Sequence, residues 1–119
     1  MSLLFQPEHV ESIRAGTKTA TRRDWAEAYG RPAVGSVRMA VTEPFTSDDE
    51  CDCYIAIEDV YRQPLGAMDE ADARAEGGYT LTEFRDAWRE INGDGAWNGG
   101  TVVDVIEFRY VGRRRPTER

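Results

Sequence analysis

Gly16 separates two segments whose sequences require different secondary structures. Before it, "PEHVESIRAG" begins with a proline that pre-sets a first helical turn, and Val10 and Ile13 fall on one face of the helix. After it, the threonines of "TKTATRR" favour an extended chain. A glycine at the end of a helix allows the chain to turn sharply. We therefore predict a helix, a glycine turn and an extended segment in immediate succession.

Short stretches of apolar residues predict the remaining strands. "SLLFQ", Ser2–Gln6, forms a short strand at the start. "GSVRMAVTE" alternates valine and methionine with serine, arginine and Ala40, which is typical of a half-buried strand with Ala40 on its outer side. "CYIAIEDVYR" places Ile55 and Ile57 on an inner face, and "TVVDVIEFRYV" forms the last strand.

Two helices are predicted before the last strand. In "MDEADARAEGG", Asp69 caps the start, and Gly77 and Gly78 end the helix. In "YTLTEFRDAWREI", Thr80 and Glu83 form a capping box. The apolar face of this helix consists of Leu81, Phe84, Trp88 and Ile91. The order of elements is that of an α+β fold, with a mixed or antiparallel sheet curled into a small barrel and about three short helices.

Length and composition indicate one globular domain. A chain of 119 residues with 40% hydrophobic and 31% charged residues can bury a single core. We assign residues 1–111 to this domain and residues 112–119 to a basic C-terminal tail. No apolar run approaches the roughly 20 residues needed to span a bilayer. "MSLLFQPEHV" lacks the features of a signal peptide, so we expect a cytoplasmic protein with no membrane partner, most simply a monomer.

The charge is unevenly distributed along the chain. The net charge is −7, yet residues 14–38 carry six cationic and two acidic side chains. Residues 39–111 carry five cationic and seventeen acidic side chains. The acidic part repels nucleic acid from most of the surface, whereas the basic segment near the N-terminus is able to hold an anion.

The chain has few residues that bind transition metals. Cys51 and Cys53 have no second cysteine or histidine pair to join, and His9 is the only histidine, so a four-ligand zinc site is not expected. We interpret the cysteines as small residues at the start of a strand and His9 as a solvated side chain between acids. We expect neither a metal nor a cofactor.

Lys18 is the only lysine beside fourteen arginines. Arginine stays protonated, whereas a desolvated lysine can lose its proton and act as a base, although an ordinary surface lysine is the alternative. Thr21 offers a hydroxyl nucleophile for a serine–lysine type of pair. Residues three apart point to opposite sides of a straight strand, so the two can meet only if Lys18 precedes the regular strand. Arg22 and Arg23 lower the proton affinity of Lys18.

Several residues near the basic segment have two interpretations. Arg23 contacts an anion or a base edge, or it forms a salt bridge with Asp24 or Glu27. Trp25 stacks on a base or packs on the barrel. Trp97 and its neighbour in the glycine-rich loop, Asn98, are further candidates for the lining of a ligand site.

The signatures together resemble the ASCH domain family, whose members have a PUA-like β-barrel. The family's Gly-x-Lys-Thr-x-Thr-x-Arg motif corresponds to Gly16, Lys18, Thr19, Thr21 and Arg23. Its second signature, an acidic helix ending in Glu-Gly before a capped helix, is similar to "ARAEGGYTLTEFRDAW", and "VVDVIEF" looks like its closing strand. The resemblance extends from residue 5 to residue 108.

The resemblance implies a function and a set of site residues. Small single-domain bacterial members hydrolyse N4-acylated cytidines such as N4-acetylcytidine, and their implicated residues correspond to Lys18, Thr21 and Glu76. The segment between Glu76 and the capping box is one residue longer here than in that branch, and the additional residue is Gly78 or Tyr79. The expected ligand is a nucleoside or RNA, and the candidate ligand-binding residues are Thr19, Arg22, Arg23 and Trp25. A non-catalytic RNA-binding module and a ribonuclease are the alternatives.

Overall fold

The computed structural model describes residues 2–25 and 30–114. Over these residues it contains five strands and three α-helices. They follow one another as β1 (Ser2–Leu4), α1 (Pro7–Ala15), β2 (Ala20–Arg23), β3 (Val37–Val41), β4 (Tyr54–Pro64), α2 (Glu70–Ala75), α3 (Leu81–Asn92) and β5 (Val102–Gly112). Short 3-10 turns at Leu65–Ala67 and Asp94–Ala96 precede α2 and β5. No helix in this part of the chain is long and apolar enough to cross a membrane.

The strands form one sheet in the order β1-β3-β4-β5-β2. β1 runs parallel to β3, and the other neighbouring pairs are antiparallel. The long pair β4 and β5 has a register shift between Ile57 and Asp59, and such irregularities bend a strand and increase its twist. At the two ends of the strand order, Arg23 of β2 donates a hydrogen bond from Nη2 to the Leu4 carbonyl of β1 over 2.6 Å. The predicted α+β class with a small curled sheet is confirmed.

The main core lies between α1 and the sheet. Ile13 of α1 packs with Ile55 and Ile57 of β4 and with Phe108 of β5, and all four side chains are buried. The inner face predicted for Ile55 and Ile57 is therefore correct. Val103 of β5 belongs to a second cluster, which packs against α2 and α3. Because the two clusters lie on either side of β5, the strand holds α1 and the α2–α3 pair in fixed positions.

The structure corrects three details of the sequence analysis. Ala40 is buried in the main core, so β3 is covered on both faces and is not half-buried. β1 ends at Leu4 and not at Gln6: the Phe5 amide still donates to the Val41 carbonyl over 2.8 Å, but the Gln6 carbonyl accepts hydrogen bonds from the first turn of α1. Ile91 is 55% exposed because the buried face of α3 ends at Trp88. The predicted Thr80–Glu83 capping box is present.

The turn at Gly16 sets the position of Lys18. Gly16 has a φ of +83°, in the left-handed region, and its amide donates to the Ile13 carbonyl over 3.1 Å. The amides of Thr17 and Lys18 then both donate to the Ser12 carbonyl. Since β2 begins only at Ala20, Lys18 lies in the turn before the regular strand, as a meeting with Thr21 requires.

We predict that Gly16→Ala lowers the free energy of unfolding by about 1 kcal/mol, because a Cβ is unfavourable at positive φ. Nothing lies within 4 Å of the added Cβ, so the expected loss is conformational. Gly95→Ala is the matched control, because Gly95 has equally open surroundings and no positive φ. Thermal denaturation measures both variants. An equal melting temperature for the two variants would contradict the assignment of strain to Gly16.

Candidate functional site

A cavity of about 480 Å³ opens between the Gly16 turn and helix α3. This volume falls in the range of about 300–1,000 Å³ that is usual for small-molecule sites. Its polar lining includes His9, Lys18, Thr21, Arg22, Arg23 and Glu76. Its apolar lining includes Leu4, Phe5, Phe84, Ala87, Trp88 and Ile91. The site therefore has a charged floor and an apolar wall.

Lys18 forms the charged floor of the cavity. Its residue is only 2% exposed, and Nζ donates hydrogen bonds to the Ala20 carbonyl over 2.9 Å and to the Glu76 carbonyl over 2.8 Å. A third, longer contact of 3.4 Å joins Nζ to Glu76 Oε1. Two backbone carbonyls and one carboxylate oxygen thus account for the three donors of an ammonium group.

Glu76 is held on its other oxygen by Arg22. The residue caps the C-terminal end of α2, and Gly77 and Gly78 follow it with positive φ, as predicted for the end of this helix. Glu76 Oε2 accepts a hydrogen bond of 2.8 Å from Arg22 Nη1. Both residues are buried, so a single carboxylate lies between the two buried cations Lys18 and Arg22.

The environment lowers the pKa of Lys18 from its ordinary value of 10.5. Burial is the largest cause, because the ammonium loses its hydration shell. The positive charges of Arg23 and Arg22 lower the pKa further, whereas the charge and hydrogen bond of Glu76 raise it. Both effects agree with the prediction from the sequence, which named desolvation of Lys18 and the neighbouring arginines, and burial is the larger of the two.

Thr21 and Arg23 form a second pair on the cavity wall. Thr21 is 5% exposed, and its Oγ1 accepts a hydrogen bond of 3.1 Å from Arg23 Nε. The Arg23 guanidinium lies 4.8 Å from the centre of the Phe5 ring, a cation–π contact that restricts its position. Within the described residues, no hydrogen bond joins Lys18 Nζ to Thr21 Oγ1. Catalytic contacts often shorten only when a substrate is bound.

His9 is a cavity residue that the sequence analysis missed. It was predicted to be solvated, but it is half-buried and its Nε2 lies 3.0 Å from the Tyr79 hydroxyl. Burial and the charge of Lys18 lower its pKa, while Glu8 raises it. The available signal was its spacing, because residue 9 lies one turn before the buried Ile13 on the same face of α1.

Two predicted ligand-binding residues do not line this cavity. The exposed Thr19 acts through its backbone, since its amide donates to the Ala75 carbonyl over 2.7 Å and its carbonyl accepts from the Phe108 amide over 2.9 Å. Trp25 packs against the main core, and the Arg31 guanidinium lies 5.9 Å from its ring centre. These contacts match the alternative in which Trp25 packs on the barrel.

The remaining candidates also have other contacts. Trp97 packs edge-on against Trp88 and Phe84 outside the lining of the cavity. The Asn98 side chain accepts a hydrogen bond from the Gly100 amide, so it shapes its own loop. The proposed partner Glu27 of Arg23 lies outside the described residues.

Cysteine and metal chemistry do not define a site in the part of the chain that the structure describes. Cys51 and Cys53 are buried immediately before β4, as predicted, and burial raises the pKa of the Cys53 thiol to about 12. In residues 2–25 and 30–114, no three histidine, cysteine or acidic side chains are grouped to hold a metal ion.

Known structures with this fold were found by comparison of the whole chain. An ASCH domain from Lactobacillus crispatus superposes with a TM-score of 0.72 and 19% sequence identity, covering 89% of this chain and 72% of that chain. A DUF984 protein from Enterococcus faecalis superposes with a TM-score of 0.63 and 18% sequence identity, covering 94% of this chain and 75% of that chain. For a point mutant of an ASCH protein from Zymomonas mobilis, the TM-score is 0.62 and the sequence identity is 17%, with 98% of this chain and 73% of that chain covered.

No protein-family profile and no curated protein matches the sequence significantly. The fold is nevertheless that of the ASCH domain, because the superposed structures include ASCH domains and cover most of this chain. The resemblance drawn from the two sequence signatures is thus confirmed at the level of the fold.

We predict that the Lys18 ammonium titrates below 10.5, because the buried site disfavours its charge. Since the chain has one lysine, protein labelled with [13Cε]lysine gives one unambiguous NMR signal. In concentrated urea, which unfolds the protein, the pKa of the lysine should return to the value of an exposed side chain, about 10.4. A native midpoint at or above the midpoint in urea would contradict the account of the site.

The single histidine, His9, also lines the cavity, and its pKa reports on the charge of Lys18. Lys18→Met removes a positive charge that lowers the pKa of His9, so the His9 pKa should rise in this variant. Proton NMR of the His9 ring measures the change. Arg109→Gln, which alters an exposed arginine on β5, should leave the titration in place. An unchanged His9 midpoint in Lys18→Met would mean that Lys18 is uncharged near pH 6.

Proposed function

We propose that this chain is an ASCH-domain amidohydrolase that binds a cytidine-like nucleoside and removes an acyl group from its N4 amine. One observation carries the proposal: Lys18, Thr21 and Glu76 line the same cavity, although 58 positions separate Lys18 from Glu76. A base, a nucleophile and a proton shuttle are the groups that metal-independent amide hydrolysis needs. The choice of N4-acylcytidine follows the resemblance to single-domain ASCH proteins that hydrolyse such amides.

Lys18 must give up a proton before it can act as a base. Its Nζ lies 3.4 Å from Glu76 Oε1, and this contact favours the protonated form of Lys18. Burial opposes it, because the Lys18 side chain is only 2% exposed and the charged form loses its hydration. We assign Glu76 the role of the proton shuttle that passes this proton from Lys18 to solvent before the substrate binds.

Acyl transfer to Thr21 is the first chemical step. The Thr21 hydroxyl oxygen attacks the acyl carbonyl carbon, while the Lys18 amine accepts the hydroxyl proton. The carbon–nitrogen bond breaks, and the proton passes from Lys18 to the departing N4 amine of cytidine. Arg23 Nε donates a hydrogen bond to the attacking oxygen, and we assign its guanidinium to stabilise the negative charge that develops on the acyl carbonyl oxygen.

Hydrolysis of the Thr21 ester completes the cycle. A water molecule attacks the ester carbonyl carbon and gives a proton to the Lys18 amine. The carbon–oxygen bond to Thr21 breaks, Thr21 regains the proton from Lys18, and a carboxylic acid leaves. The same amine serves as base and as acid in each step, as in other pairs of a hydroxyl and a lysine.

The pairing of the cations favours this proposal over phosphate binding. Lys18 and Arg22 are buried, and both hold Glu76, so neither guanidinium nor ammonium extends towards a polymer backbone. The apolar wall of α3 suits a small ligand more than a nucleic-acid backbone. A non-catalytic RNA-binding module and a ribonuclease remain the alternatives to be separated by experiment.

Replacing the base is the direct test of this reaction. Lys18→Arg should lower kcat/KM for N4-acetylcytidine at least about 100-fold, since arginine stays protonated and general-base catalysis contributes about 10²–10⁴. Chromatography of released cytidine measures the rate. Arg109→Lys makes the reverse change on the exposed face of β5 and should retain the native rate. If native protein releases no cytidine, or Lys18→Arg is as active as the native protein, the hydrolase proposal is wrong.

The same preparation distinguishes the alternatives. A phosphate-binding module should bind RNA with an affinity that falls steeply with salt and should tolerate Lys18→Arg. Metal-independent cleavage of RNA would identify a ribonuclease. A hydrolase that binds a nucleoside in the cavity should show weak dependence of KM on salt, because the substrate carries no phosphate.

A further inference from the structure

Arg22 is buried in a way that neither the acyl-transfer steps nor ligand binding requires. Its side chain is 1% exposed, although it lies in β2 between the cavity residues Thr21 and Arg23. Successive side chains of a strand point to opposite faces. Arg22 therefore extends from the face of β2 opposite to Thr21 and Arg23, and it contacts Glu76 from that side. It also lines a separate cavity on that face.

The contacts of Arg22 are made with protein groups. Nη1 donates to Glu76 Oε2 over 2.8 Å, and Nη2 donates to Gln63 Oε1 over 2.8 Å. A longer ion pair of 3.6 Å connects Nη2 to Asp72. Arg22 Nε is buried without a hydrogen-bond partner within the described residues. A desolvated guanidinium with an unsatisfied donor is weak evidence for a purely stabilising role.

The two cations share the Glu76 carboxylate unequally. Arg22 contacts one oxygen at 2.8 Å, whereas Lys18 Nζ contacts the other oxygen at 3.4 Å. Because the hydrogen bond to Arg22 fixes the orientation of the carboxylate, its other oxygen stays at the longer distance from Lys18 Nζ. The ammonium is therefore paired less strongly than it would be if Glu76 were free to approach it.

We propose that Arg22 is a positioning residue that draws the Glu76 carboxylate away from Lys18 and thereby keeps the amine able to release its proton. The inference rests on the proposed function, because it explains how a paired lysine serves as a base. It also changes the role of Arg22, which the sequence analysis expected to bind ligand.

The charged groups that face Lys18 are consistent with this role. Glu76 follows α2, Arg22 and Arg23 belong to β2, and His9 belongs to α1. Of these groups, Glu76 raises the pKa of Lys18, and the two arginines lower it. Removal of Arg22 abolishes a repulsion and also frees Glu76, so both effects favour the protonated lysine.

The test uses the single lysine and does not depend on turnover. In Arg22→Gln, the Lys18 titration midpoint measured with [13Cε]lysine should rise by about one pH unit or more. Arg109→Gln, which removes an exposed arginine, is the control and should leave the midpoint in place. An unchanged midpoint in Arg22→Gln overturns the proposal, whether or not the protein hydrolyses N4-acylcytidine.

A double-mutant cycle separates positioning from simple charge repulsion. If Arg22 acts through Glu76, the shift caused by Arg22→Gln in a Glu76→Gln background should be less than about half of the shift in the native background. An equal shift in the two backgrounds would show that Arg22 acts on Lys18 directly and would overturn the positioning role.

A second variant keeps the test valid if Arg22→Gln fails to fold. Gln63→Glu is nearly isosteric and adds a carboxylate 2.8 Å from Arg22 Nη2, which competes with Glu76 for the guanidinium. The Lys18 midpoint should rise, and the acid limb of kcat/KM for N4-acetylcytidine should move to higher pH by a similar amount. A midpoint unchanged in folded Gln63→Glu would contradict the competition on which the proposal depends.

Discussion

The carboxylate of Glu76 lies between two buried cations, and the organisation of the site depends on this interaction. Arg22 holds one oxygen and Lys18 contacts the other, while the Glu76 carbonyl also accepts a hydrogen bond from Lys18. One residue at the end of α2 is thereby joined to the Gly16 turn and to β2. Burial of the ammonium is the largest cause of the lowered pKa of Lys18, and the positive charges of Arg23 and Arg22 lower it further, whereas Glu76 raises it.

The fold brings the three residues of this interaction together. β5 pairs with both β4 and β2 and places the two core clusters on either side of itself. The Thr19 amide and carbonyl link the end of α2 to β5, which brings Glu76 over the start of β2. Desolvating Lys18, Arg22 and Glu76 is unfavourable. The two cores supply the apolar burial that offsets it.

Local patterns in the sequence were sufficient for much of this structure. The glycine turn, the capping box at Thr80 and the alternation of β4 each depend on residues close together in the chain, so they were predictable. The Lys18, Thr21 and Glu76 set came from the family resemblance. The burial of Ala40 and the exposure of Ile91 depend on what other elements cover, and no single-sequence pattern records that information. The spacing of His9 from Ile13 indicated the buried face of α1, but it did not indicate Tyr79 as the contact. The contact between Arg22 and Glu76 joins residues 54 positions apart and likewise could not be predicted from the sequence pattern.

One comparison tests whether Lys18 acts in its neutral form, as we propose. The pH dependence of kcat/KM for N4-acetylcytidine hydrolysis should have an acid limb whose midpoint equals the Lys18 midpoint measured by NMR in the same buffer. Activity should rise with pH through that midpoint, because the proposed base is the neutral amine. An acid limb that differs clearly from the Lys18 midpoint, or activity that falls as Lys18 loses its proton, would contradict the account.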